Sequence, residues 1–197
     1  MDTGLVITIV VVLVLIAAAA VLAVPWQRSR RLRSRFGPEY ERAVQEHGDR
    51  RAAERELTER ERRHAELGLR PLSEGARRRF EADWDSVQER FVDSPEDAVR
   101  QAHGLVDRLM TERGYPSGDD DRRIADLSVE HGGTVDRYRR ARAASERSAA
   151  GEASTEDLRS AMVHFRALFH ELLGDGSTAS AGSAGSDTAD PGDPAAR

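Results

Sequence analysis

Six histidines, His47, His64, His103, His131, His164 and His170, are the side chains best suited to bind a metal or move a proton near neutral pH. A helical zinc site of the H-E-x-x-H kind needs two of them at i,i+4, and no pair has that spacing. His164 and His170 lie about 240° apart on a helical wheel. Glu130-His131 and His170-Glu171 are chain neighbours, and neighbours on a helix do not face each other. Asp119, Asp120 and Asp121 are adjacent, whereas a calcium loop alternates its ligands and closes with a Glu, so the run reads as a solvated helix start. Asp and Glu number 35, too many for any pair to stand out as an acid–base couple. There is no Cys, no Lys and no Asn. Disulfides, thiolate chemistry, Schiff-base lysines, the phosphate-loop lysine and N-glycosylation are therefore excluded. No G-x-S-x-G, glycine-rich phosphate loop or dinucleotide fingerprint occurs. The sequence thus predicts no catalytic, cofactor or metal residue. The rival reading is an enzyme or metal-binding bundle assembled from scattered His and carboxylates.

The strongest signal is positional. Residues 5–24, LVITIVVVLVLIAAAAVLAV, carry one polar side chain, Thr8. As a helix this stretch spans roughly 30 Å, the hydrocarbon thickness of a bilayer. It is read as a single transmembrane helix, a signal anchor, behind a short segment at residues 1–4. A cleaved signal peptide would need a basic n-region and a shorter apolar core, and Met1 to Gly4 hold no basic residue. Cleavage after Ala23, releasing an extracytoplasmic or secreted domain, is the alternative. Residues 25–37 form an arginine-rich juxtamembrane collar with Arg28, Arg30, Arg31, Arg33 and Arg35. Arginines this close to a span stay on the cytoplasmic side, which predicts a cell-membrane protein with its N-terminus outside and the bulk of the chain cytoplasmic. Trp26 suits the headgroup level. Two roles fit the collar arginines, setting topology alone or also binding anionic lipid headgroups.

Residues 38–173 read as an all-α domain of about five helices. Phe36, Tyr40, Val44 and His47 share a stripe at the start of a helix expected to run from residue 39 to 67. Ser73 looks like an N-cap, and Phe80, Trp84, Val87 and Phe91 follow at helical spacing as the centre of the core. Ser94-Pro95-Glu96-Asp97 opens the next helix, whose apolar face is Val99, Ala102, Val106 and Leu109. Ile124, Leu127, His131, Val135 and Tyr138 keep helical phase across Gly132-Gly133, which predicts one helix over residues 122–147, kinked at most. Ser154 and Asp157 form a capping pair before the last helix, where Phe165 and Phe169 join the core. Gly174 reads as its C-cap, and residues 174–197, small and polar, as a disordered tail.

The formal net charge is −5, and an acidic domain makes a poor nucleic-acid binder. The collar into Arg35-Phe36-Gly37-Pro38-Glu39-Tyr40, with Leu109-Met110-Thr111-Glu112-Arg113-Gly114-Tyr115-Pro116 and Asp126-Leu127-Ser128-Val129-Glu130-His131, resembles uncharacterised single-pass membrane or secreted proteins of actinobacteria. That resemblance implies a location class and carries no activity or site residue. The functional expectation is a membrane-tethered, non-enzymatic helical module that binds an unidentified protein partner.

Overall fold

The computed structural model describes residue 4, residues 12 and 13, and residues 26–181, with side chains as far as residue 174. Among these residues the chain is all-α, with eight helices and no strand. They are α1 (26–36), α2 (Pro38–His47), α3 (Arg50–Glu66), α4 (Glu74–Asp93), α5 (Pro95–Arg113), α6 (Asp120–His131), α7 (Val135–Ala149) and α8 (Thr155–Ala181). No helix among the described residues is long and apolar enough to cross a membrane. The expected span at residues 5–24 lies outside them, apart from Val12 and Leu13.

The chain divides into two compact units, Met1–Glu66 with Asp120–Asp136, and Leu67–Asp119 with Arg137–Arg197. In the first, Leu32, Phe36, Tyr40, Ala43, Ala53, Leu57 and Val129 make a buried cluster with Val44 at its edge. Two corners shape it. At Gly37 the main chain takes φ 53°, a left-handed conformation that costs glycine nothing, and Pro38 then starts α2. At Gly48 the φ is 63°, and its N–H closes α2 on the Val44 carbonyl at 3.0 Å. The next residue, Asp49, accepts hydrogen bonds from the Arg51 and Ala52 N–H groups at 3.2 and 3.0 Å and so caps α3. Those two hydrogen bonds, Ala52 first, hold its carboxyl below the usual aspartate range. The single helix expected over residues 39–67 is therefore two.

The helix expected over residues 122–147 is also two. A methyl group on Gly132 would lie 2.5 Å from the Phe36 carbonyl oxygen and 2.9 Å from its carbon. Gly132 is thus the point where the end of α6 meets the α1–α2 corner, and the three turn residues 132–134 separate α6 from α7. The kink allowed for at the glycines is a break, imposed by this backbone approach.

The second unit holds α4, α5, α8 and all but the start of α7. Ser73 caps α4, accepting from the Ala76 N–H at 3.1 Å. Ser94 precedes α5 but makes no side-chain capping bond, which leaves Pro95, Glu96 and Asp97 to favour that start. Ser154 and Asp157 cap α8 reciprocally, Asp157 N–H to Ser154 Oγ at 3.2 Å and Ser154 N–H to Asp157 Oδ2 at 3.0 Å. The main chain of α8 passes through Gly174 to Ala181, so Gly174 is not its C-cap, and residues 182–197 lie outside the described ones.

Trp84 is 2 % exposed and stacks on Phe169 of α8, with ring centroids 4.6 Å apart. Trp84→Ala is expected to cost about 3–5 kcal/mol, read by denaturant unfolding; an unchanged midpoint removes Trp84 from the core. Gly132→Ala is expected to destabilise by about 1–3 kcal/mol because a backbone carbonyl must move. Gly133→Ala, with nothing within 4 Å of the added carbon, is the control, and equal losses in the two would refute the close-approach argument.

Candidate functional site

The collar is the first place to look, because the sequence assigns it five arginines and Trp26. In the structure it is α1. Its buried side chains are Ser29, Leu32 and Phe36, at i, i+3 and i+7, while all five arginines and Trp26 are exposed. Four of the arginines have partners elsewhere in the first unit. Arg28 donates to the Thr58 hydroxyl at 2.7 Å and to the Glu54 carbonyl at 3.3 Å. Arg31 pairs with Glu61, and Arg35 Nε lies 3.5 Å from the other oxygen of the same carboxylate. Arg33 lies 3.4 Å from Glu41 and over the Tyr40 ring at 4.9 Å. Arg30 sits over the Trp26 ring at 5.6 Å, and Trp26 is 64 % exposed.

Beneath the collar lies a polar knot that the sequence did not single out. Glu54 Oε1 accepts from Tyr40 OH at 2.8 Å, from Arg50 Nε at 3.0 Å and from Ser29 Oγ. Burial opposes its ionisation, and the hydrogen bonds from Ser29, Tyr40 and Arg50 outweigh burial and hold the carboxyl below the usual glutamate range. The knot contains a serine, a tyrosine and a carboxylate, but Ser29 is 2 % exposed, so no substrate reaches its hydroxyl. Its work is structural. The only hint in the sequence is the Arg50–Glu54 spacing of i,i+4, and many exposed pairs share that spacing.

A second buried polar group lies where α3 meets α6. Asp126 is 1 % exposed, and neither of its oxygens accepts a hydrogen bond among the described residues. Its nearest cation is Arg63, with Nε 3.9 Å away. Burial pushes its carboxyl above the usual range, and the charges of Arg63, Arg122, His64 and Arg60 only partly offset that. His64 of α3 is buried as well, with Nε2 3.8 Å from Glu130. Burial lowers its basicity, Arg35 and His131 add to the effect, and Glu130 and Asp126 oppose it.

In the second unit Trp84, Val87, Phe165 and Phe169 are buried, while Phe80 and Phe91, at the ends of their stripe, are half-buried. A carboxylate holds His103 there. Its Nε2 lies 3.6 Å from Asp107 Oδ2, and Tyr138 OH donates to Asp107 Oδ1 at 3.1 Å. His103 stacks on Phe165 and opens onto a cleft of about 220 Å³ beside Arg100, Ser145 and Glu146. An oriented imidazole is half of an acid–base device; the other half, a hydroxyl bonded to it, is absent among the described residues. No three His, Asp or Glu side chains among them converge to hold a metal ion.

A pH dependence follows from Asp126. The folded chain takes up its proton at a higher pH than the unfolded chain does. The stability this group contributes therefore falls as pH rises from the ordinary aspartate range through the raised value, and the full penalty is present above it. Asp126→Asn is expected to stabilise the protein near neutral pH by about 1 kcal/mol, with the gap closing in mild acid. His64 works in the other sense, its stability term rising with pH up to the ordinary histidine range, and it is present in both proteins. Paired melting curves at the two pH values check this, and a gap independent of pH refutes it.

No protein family model matches the chain, and neither a curated protein nor a solved structure is similar to it.

Proposed function

We propose that this chain is a membrane-tethered, non-enzymatic helical interaction module, anchored by a single span at residues 5–24 with its helical units on the cytoplasmic side. One observation carries the reading: the chain just past the apolar run already belongs to a folded unit. Val24 ends the run, Trp26 is already helical, and Leu32 on the same helix is 1 % exposed in the core of the first unit. An apolar segment joined this directly to a folded unit works as a fixed attachment. A removable leader, by contrast, carries a basic n-region and a shorter apolar core than residues 5–24. The arginines from residue 28 to residue 35 favour the cytoplasmic side for that unit.

The module character rests on the surface. Charged residues make up 33 % of the chain, and those on α3 are laced by ion pairs such as Arg60–Glu56 at 3.1 Å and Arg62–Glu59 at 2.7 Å. Such pairs add little stability each, but a patterned charged face sets which partners dock and which are repelled. The partner is a protein, since the net charge of −5 disfavours nucleic acid.

The test is protease treatment of intact protoplasts carrying a C-terminally tagged chain, read by gel. A protected, full-length tag is expected. A digested tag, or a shortened product in the medium, refutes the cytoplasmic reading and favours an extracytoplasmic domain released after Ala23.

A further inference from the structure

We propose that the first described turn of α1, Trp26 with Arg28 and Arg30, binds the phosphates of anionic phospholipids, and that the remaining collar arginines do not. This rests on the tether reading, which places Trp26 at the headgroup level.

The fold divides the collar by charge. Towards its C-terminal end, Arg31 and Arg35 share the Glu61 carboxylate, and Arg33 lies 3.4 Å from Glu41. Seen from a membrane, this part of the helix is largely neutralised. Towards its N-terminal end the balance differs. Arg28 donates to two neutral acceptors, the Thr58 hydroxyl and the Glu54 carbonyl, so its charge remains. The nearby Glu54 carboxylate gives no relief, because Arg50 pairs with it at 3.0 Å. Arg30 meets no carboxylate among the described residues; its neighbour is the face of Trp26, at 5.6 Å. Positive charge therefore survives in full at the start of the described α1, whereas further along two carboxylates offset two of three arginines. The chemistry suits one ligand. A guanidinium presents a planar fork of donors matched to phosphate oxygens. An indole with 64 % of its surface exposed has an apolar body and one polar edge, as the interfacial region requires. The occupant is the phosphodiester of an acidic lipid.

The experiment uses the full chain with Trp84→Phe, which leaves Trp26 as the single indole. The protein is reconstituted in phosphatidylcholine vesicles holding a minor share of phosphatidylglycerol, with brominated acyl chains on one lipid or the other. Quenching of Trp26 is expected to exceed the mole fraction of the anionic lipid, by roughly fivefold per arginine at low salt. Arg28→Gln with Arg30→Gln is expected to abolish the excess. Arg31→Gln with Glu61→Gln, which removes a positive charge together with its carboxylate, is expected to leave it. Quenching that tracks mole fraction, or equal losses in the two double variants, overturns the proposal. Alkaline carbonate extraction of the same vesicles separates this from failure of the tether: release of the chain refutes the span, whereas retention with unselective quenching refutes only the headgroup site.

Discussion

The first unit depends on one buried charge. Glu54 belongs to α3, and its three hydrogen-bond donors come from three helices: Ser29 from α1, Tyr40 from α2 and Arg50 from α3 itself. A carboxylate withdrawn from water without partners would cost several kcal/mol. Each donor satisfies part of that need, and each fixes the placement of its own helix. Leu32, Phe36 and Leu57 provide the apolar contact, which holds helices together without choosing a register. The knot around Glu54 makes that choice. Asp126, on α6, shows the opposite solution to the same problem. It is more deeply buried, its side-chain oxygens accept no hydrogen bond among the described residues, and its carboxyl moves up where that of Glu54 moves down. Deeper burial and the lack of donors act together at Asp126, whereas three donors outweigh burial at Glu54.

The same contrast explains what the sequence disclosed. Helix starts were legible where short-range chemistry writes them, as at Ser73 and at the Ser154–Asp157 pair. Trp84 and Phe169 were legible as core because large aromatic groups at helical spacing have few other places to go. The two breaks were not. Periodicity reports which residues face a core, and helices on either side of a short turn can both keep their apolar faces inward. At Gly48 the signal was present, a glycine in the C′ position followed by an Asp able to cap, but the stripe from Phe36 to His47 and beyond obscured it. At Gly132 the deciding atom is the Phe36 carbonyl, nearly a hundred residues away in the chain, and no local pattern encodes it.

The site residues divide in a similar way. Arg28 to Arg35 were recognisable as a collar from charge alone, while their partners Glu41, Thr58 and Glu61 looked like ordinary surface positions on charged helices. Ser29, flanked by arginines, drew no notice, and it is the most deeply buried polar group of α1. Distance along the chain separates what could be read from what could not. The cap at Ser154 is three residues from its partner, and Ser29 is 25 residues from Glu54.

The division of the chain also sets an order of events during synthesis. The first unit takes α1 to α3 from one end of the sequence and α6 from beyond α4 and α5. A nascent chain that has delivered α3 still lacks α6, which brings Asp126 and Val129, and Gly132 just beyond it. Closing so long an intervening loop carries an entropic cost that grows only slowly with its length, but the wait is set by translation. Until residue 136 clears the ribosome, the α1–α2 corner and the inner face of α3 stay uncovered, while α4 and α5 are already free to pair. The unit that holds the start of the described chain is thus the unit whose folding must wait for later sequence.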